Sequence, residues 1–258
     1  MYAINRPVFP HSRRLSAVFI IVALMGSVPL AGDPSAGNSS GGRDTVTFEG
    51  QRYSAPQDYE FRASIPNGTE LDELSSEAEK ISHTISSPEE ANTEADLIAV
   101  SDYHALFPCP LEQVVPVFTA HGSEDEIYPR ITFDRDLTPE RGPLEPHFQV
   151  LKTSFTFLGI GATYHYILYR IPEYIDDDEF LITETLTASL DGSFSELYVS
   201  WYLREVVIDG TVHTYLRNRV KTGFIDPPAG TRAALQLFGG GDVKNFFSAV
   251  RKAAEEGF

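Results

Sequence analysis

A chain of 258 residues with 37 acidic against 20 basic side chains carries a net charge of −17, which repels nucleic-acid phosphates and anionic lipid surfaces alike. Binding to either would need a local basic patch. The single cysteine, Cys109, excludes an intrachain disulfide and any cysteine-based metal cluster.

The chain begins with Arg6, Arg13 and Arg14 and no acid, followed by the apolar run Leu15 to Leu30. That run is short for a membrane span of about 20 residues, and Pro29 followed by Ala31-Gly32 resembles a cleavage region. Residues 1–32 are therefore expected to be a signal peptide, with an uncleaved anchor as the alternative, and the protein to be exported, periplasmic or extracellular. Cleavage would take the net charge to about −20, because three arginines and no acid leave with the signal.

Residues 33 to about 43 are small and polar and read as a linker. Across 33–96, 14 acids face only Arg43, Arg52, Arg62 and Lys80, a composition that buries little core. Residues 33–94 are expected to form an acidic flexible or loosely docked arm, or else a lid over the main domain. Thr45 to Tyr53 would supply one short strand, and Glu70 to Ser82 one short amphipathic helix.

From residue 95 the pattern changes, and 95–258 reads as the folded domain. Asp96 to Tyr103 alternates as a strand. Pro110 to Ala120 places Leu111, Val114, Val115 and Phe118 at helical spacing, and Gly122 to Tyr128 fits a second short helix. Strands are predicted over Arg130 to Leu137, His147 to Leu158, Ala162 to Ile171, Phe180 to Ser189, Phe194 to Ile208 and Thr211 to Phe224. The turns between the last four carry Asp176-Asp177-Asp178, Asp191-Gly192-Ser193 and Asp209-Gly210, so neighbours should pair antiparallel. After Gly239-Gly240-Gly241, Asp242 is placed to cap a helix whose stripe is Val243, Phe246, Phe247, Val250 and Ala254. Only the concave face of the sheet can cover two phenylalanines. The fold class is thus α+β: a curved antiparallel sheet of about seven strands around a long C-terminal helix, with two short helices after the first strand.

Three stretches resemble the START-like superfamily, which includes polyketide cyclase/dehydrase, coenzyme-Q-binding and lipid-transfer START domains. They are Pro110 to Phe118 with Tyr128-Pro129-Arg130-Ile131; Phe157 to Gly161 leading into Tyr164-His165-Tyr166; and Leu190 to Ser193, Trp201 and Asp209-Gly210-Thr211. The resemblance implies a helix-grip fold whose sheet and helix enclose a cavity for a lipid, isoprenoid or polyketide-like molecule. Fold alone does not establish function.

No nucleophile elbow, phosphate loop, paired-histidine metal spacing or dinucleotide fingerprint is present, and neither cofactor nor metal is expected. Parity gives one sharper candidate. On the strand Phe180 to Leu186, Glu184 shares a face with Phe180, Ile182 and Leu186, while Thr183, Thr185 and Thr187 take the other. Val199 and Trp201 share a face of the next strand, and Phe246 and Phe247 face them from the last helix. These eight residues form the expected ligand-binding set, with Glu184 holding a polar end.

The function read from this is binding or carriage of a hydrophobic small molecule or lipid, without nucleic acid and with at most transient membrane contact. One alternative is a cyclase, dehydratase or hydrolase using Glu184 with His165 or a tyrosine. The other is an interaction module with a collapsed cavity, whose acidic arm or basic row His213, Tyr215, Arg217, Arg219 and Lys221 meets a partner. Cys109, between Phe107-Pro108 and Pro110-Leu111, is expected to be buried.

Overall fold

A computed structural model describes residues 44–56, 61–87, 94–119, 130–157 and 160–257. The expected signal peptide and the second short helix over Gly122 to Tyr128 lie outside the described residues.

Among the described residues, ten strands and two α-helices follow in chain order. They are β1 (Thr45–Phe48), β2 (Gln51–Ser54), β3 (Glu79–Ser86), β4 (Leu97–Phe107), α1 (Leu111–Thr119), β5 (Ile131–Asp136), β6 (His147–Phe157), β7 (Ile160–Asp176), β8 (Glu179–Ser189), β9 (Phe194–Ile208), β10 (Thr211–Phe224) and α2 (Thr231–Glu256). Strands β3 to β10 form one antiparallel sheet in the order β3-β4-β10-β9-β8-β7-β6-β5. This sheet has eight strands where about seven were expected, because the acidic segment contributes β3.

Turn chemistry explains the tightest hairpins. Asp209 and Gly210 both take positive φ, 50° and 78°, the mirror-image turn that matches strand twist. Glu49 and Gly50 do the same at 49° and 81°, so Thr45 to Tyr53 is a hairpin of two strands and not one strand.

Two further expectations are corrected. The helix expected over Glu70 to Ser82 is a single 3₁₀ turn, Leu71–Glu73, followed by β3. Its helical spacing of Leu71, Leu74 and Ala78 was overridden by backbone pairing of Glu79–Ser86 along β4. The last helix begins at Thr231 and runs straight through Gly239-Gly240-Gly241, so Asp242 does not cap it. Asp242 is instead buried beside Arg130, Nε to carboxylate 3.4 Å. The glycines let the helix approach its neighbours. A Cβ on Gly239 would sit 2.8 Å from the His83 ring, and one on Gly240 2.9 Å from the Tyr103 hydroxyl.

The sheet is covered on both faces. Its inner face holds the main core, with Phe180, Ile182, Leu197, Val199, Trp201 and Leu203 against Val114 and Phe118 of α1 and Val243, Phe246, Phe247 and Val250 of α2. Cys109 is buried in this core.

The outer face is covered by the acidic segment. Val46, Phe48 and Ala55 pack on Phe148, Val150 and Ile167. Ala63, with Ile65, Leu71 and Leu74, packs on Leu106, Leu181, Tyr202 and Tyr215. The basic row of β10 belongs to the same layer. Arg217 donates to both Asp102 carboxylate oxygens at 2.8 and 2.7 Å and reaches the Ser64 carbonyl. Arg219 donates to the Arg62 carbonyl and stands over the Phe61 ring, and Lys221 pairs with Glu196 at 2.8 Å.

Candidate functional site

Alternation along β8 puts Phe180, Ile182 and Glu184 on the face toward α2, and all three are fully buried. The partner of Glu184 across β7 is Arg170, and across β9 it is Val199. Both partners are also buried. Glu184 Oε1 lies 3.4 Å from Arg170 Nε, an ion pair in which neither carboxylate oxygen accepts a hydrogen bond among the described residues. Arg170 Nη2 donates to the Phe118 carbonyl of α1 at 2.7 Å, while Nη1 has no hydrogen-bond partner among the described residues.

Polar groups gather around this pair. Gln149 Nε2 donates to Asp134 at 2.9 Å, and His147 Nδ1 meets the Glu145 carbonyl at 2.9 Å. Tyr166, two positions before Leu168 on the inner row of β7, is buried among the same residues. On the other side Trp201 presents an indole N–H without an acceptor. Its cross-strand neighbour Asn218 is fully buried with neither amide atom bonded.

The electrostatics follow from burial. Loss of solvent pushes Glu184 up to about 8, with Arg170 holding it back. Burial pulls Arg170 down, opposed by Glu184 and then Asp134. Asp134 is pushed up to about 6 by burial, against its hydrogen bond from Gln149 and the attraction of Arg170. His147 is pulled down to about 4 by burial and by Arg170, so it is neutral at pH 7.

The sequence-predicted set is brought together unevenly. Phe180, Ile182, Glu184, Val199, Trp201, Phe246 and Phe247 are fully or almost fully buried, whereas Leu186 is a partly buried residue at the edge of the core. The aromatic members fill space against one another. Trp201 lies 5.1 Å from Phe118, 5.2 Å from Phe246 and 6.1 Å from Phe247, centroid to centroid.

His165 stands on the outer face, edge-on to Phe48 and to Phe133 at 6.3 Å each, so it cannot serve Glu184 as a catalytic partner. His213 meets the carbonyl of Thr211 on its own strand. Arg170, Asp134, His147 and Gln149 were missed. Arg170 lay inside the predicted strand Ala162 to Ile171 and shares the inward alternation of Tyr164, Tyr166 and Leu168, but its place beside Glu184 depends on the register between β7 and β8.

No group of three or more candidate ligands could hold a metal ion among the described residues, and none of their helices is long and apolar enough to cross a membrane.

No protein-family model matches the chain, and neither does any curated protein. Solved structures with a similar arrangement include the Zhui aromatase/cyclase of Streptomyces sp. R1128, at 15% identity and a TM-score of 0.46 over 62% of this chain and 94% of the other. The STAR-related lipid transfer protein of Xanthomonas axonopodis matches at 11% identity and 0.44, over 67% and 98%. Norcoclaurine synthase of Thalictrum flavum matches at 11% and 0.41, over 68% and 98%. The helix-grip assignment rests on the strand order and register described above.

Proposed function

We propose that the protein binds or carries a small, largely apolar molecule inside the helix grip, its polar end against Glu184 and Arg170, and that the chain is exported. The observation that carries this reading is the buried Glu184 carboxyl, paired with Arg170 at 3.4 Å yet hydrogen-bonded at neither oxygen among the described residues. Each buried polar group left unmatched costs about 1–3 kcal/mol. Unmatched atoms on Glu184, Arg170 and Trp201 in one interior are compensated if a ligand's polar group meets them. The surrounding walls, Phe180, Ile182, Val199 and the rings about Trp201, suit an apolar body. The export proposal rests on the arginine-led apolar run at residues 6–32.

Native mass spectrometry of protein purified from its own host tests the binding reading. A defined small-molecule adduct on the wild-type chain, lost or much reduced in E184Q, is the expected result. An adduct retained by E184Q, or a wild-type chain of bare polypeptide mass, removes Glu184 from any binding role.

A further inference from the structure

We infer a second site, for a small organic oxyanion, in the groove between the edge strand β3 and the middle of α2. The groove encloses about 440 Å³ and is lined by Lys80, His83 and Ile85 of β3, Tyr103 of β4, and Leu237 and Lys244 among the residues of α2. Tyr103 and Ile85 back onto the main core, but Glu184 and Arg170 do not line the groove.

Charge makes the first argument. Acids outnumber bases by 37 to 20 in this chain, and Arg62, Arg130, Arg141, Arg170, Arg217 and Lys221 all stand beside carboxylates. Lys80 and Lys244 face the same groove without a carboxylate within 4 Å among the described residues. Two lysines lining one groove of such a chain favour a bound anion.

The histidine makes the second. Both ring nitrogens of His83 are buried and neither has a hydrogen-bond partner among the described residues. Burial, and then the charge of Lys80, disfavour its protonated form. An oxyanion would accept from an imidazole N–H and from both lysines at once.

The helix makes the third. Gly239 and Gly240 give His83 and Tyr103 their places, since a Cβ on either would fall within 3 Å of those side chains. A glycine run inside a 26-residue helix is unfavourable in itself, and here it keeps two polar side chains against the helix backbone. Ile85 and the exposed Leu237 provide an apolar wall beside the cations. The ligand is therefore an oxyanion that carries a short apolar group.

The test titrates the full chain with octanoate and, separately, with inorganic phosphate, following the His83 ring signals by NMR, assigned by their loss in H83N. Octanoate should give a saturable shift of His83, with phosphate binding more weakly. The double variant K80A/K244A should weaken octanoate by about tenfold or more, while E184Q leaves it unchanged. Both lysines are exposed, so the double variant should fold. Three results overturn the proposal: no saturable shift up to about 10 mM octanoate, equal binding by K80A/K244A, or an octanoate response that disappears in E184Q. The last would place the ligand in the interior instead. A response to phosphate alone also overturns it, because the apolar wall would then take no part.

Discussion

Glu184 holds its proton more tightly in the folded chain than in the unfolded one, and this fixes the sign of its effect on stability. Its titration point moves from the ordinary 4.5 up to about 8 because burial penalises the carboxylate more than Arg170 favours it. Between those values the native state binds more protons than the unfolded state, so this group's contribution falls as pH rises and is lowest above about 8. His147 acts in the opposite sense. It is held down to about 4, so its contribution falls as pH drops below its ordinary 6.5. Comparing wild type with E184Q separates the two, since His147 is common to both. The gap in unfolding free energy from urea titration should widen in favour of E184Q from pH 5 to pH 8, by on the order of a few kcal/mol. A constant gap would mean that Glu184 keeps its charge throughout. Arg170→Met should destabilise instead, by about 3–5 kcal/mol at pH 8, because it removes the cation that offsets the burial of Glu184.

At the scale of elements, α2 shows how a sequence pattern can be read correctly in content and wrongly in extent. The stripe of Val243, Phe246, Phe247, Val250 and Ala254 is the buried face. Phe247→Ala, which would empty a site between Phe107 and Trp201, should cost about 3–5 kcal/mol in chemical denaturation. The glycines before the stripe were read as preceding the helix because single-residue propensity cannot report that a tyrosine and a histidine from two strands need the space. Two alanine substitutions separate these roles. Gly241→Ala meets nothing within 4 Å and should raise stability by about 0.5–1 kcal/mol through helix propensity alone. Gly240→Ala drives a Cβ to 2.9 Å from the Tyr103 hydroxyl and should gain nothing or lose stability. Equal thermal shifts from the two would show that the glycines have no packing role. Strands β9 and β10 were legible to the residue, since alternation and an Asp-Gly turn agree there. Strand β3 was not, because its identity depends on pairing along β4, a contact no local window contains. The inward aim of Glu184 was legible from parity, but its pairing with Arg170 required the register between β7 and β8.

For the whole molecule the decisive feature is the outer layer. A grip of sheet and helix alone would begin near residue 95, and the acidic composition of 33–94 suggests a segment that trims away. The described part of that segment is built in at three places. Strand β3 pairs with β4 over Glu79 to Ser86. Ala63 donates its N–H to the buried Ser200 hydroxyl at 2.7 Å, and Arg217 and Arg219 bind carbonyls of Ser64 and Arg62. Asp44 accepts from Arg141 at 2.8 Å and from Tyr169 at 2.6 Å, pinning the β1–β2 hairpin above Phe148. Removing residues 44–94 would expose Leu106, Leu181, Tyr202, Tyr215, Phe148 and Ile167 and leave β4 as a long unpaired edge. Such an edge above an uncovered apolar face favours association. A chain beginning at residue 44 should therefore melt cooperatively and stay monomeric, whereas one beginning at residue 95 should bind a hydrophobic dye and aggregate. Limited proteolysis gives an independent reading on the intact protein. Cuts should spare Glu79 to Ser86, because a paired strand must open before a protease can engage it. A stable, monomeric 95–258 fragment with the melting temperature of the longer chain would show that the outer layer contributes nothing to folding. The acidic segment would then be a covering with a role other than stability.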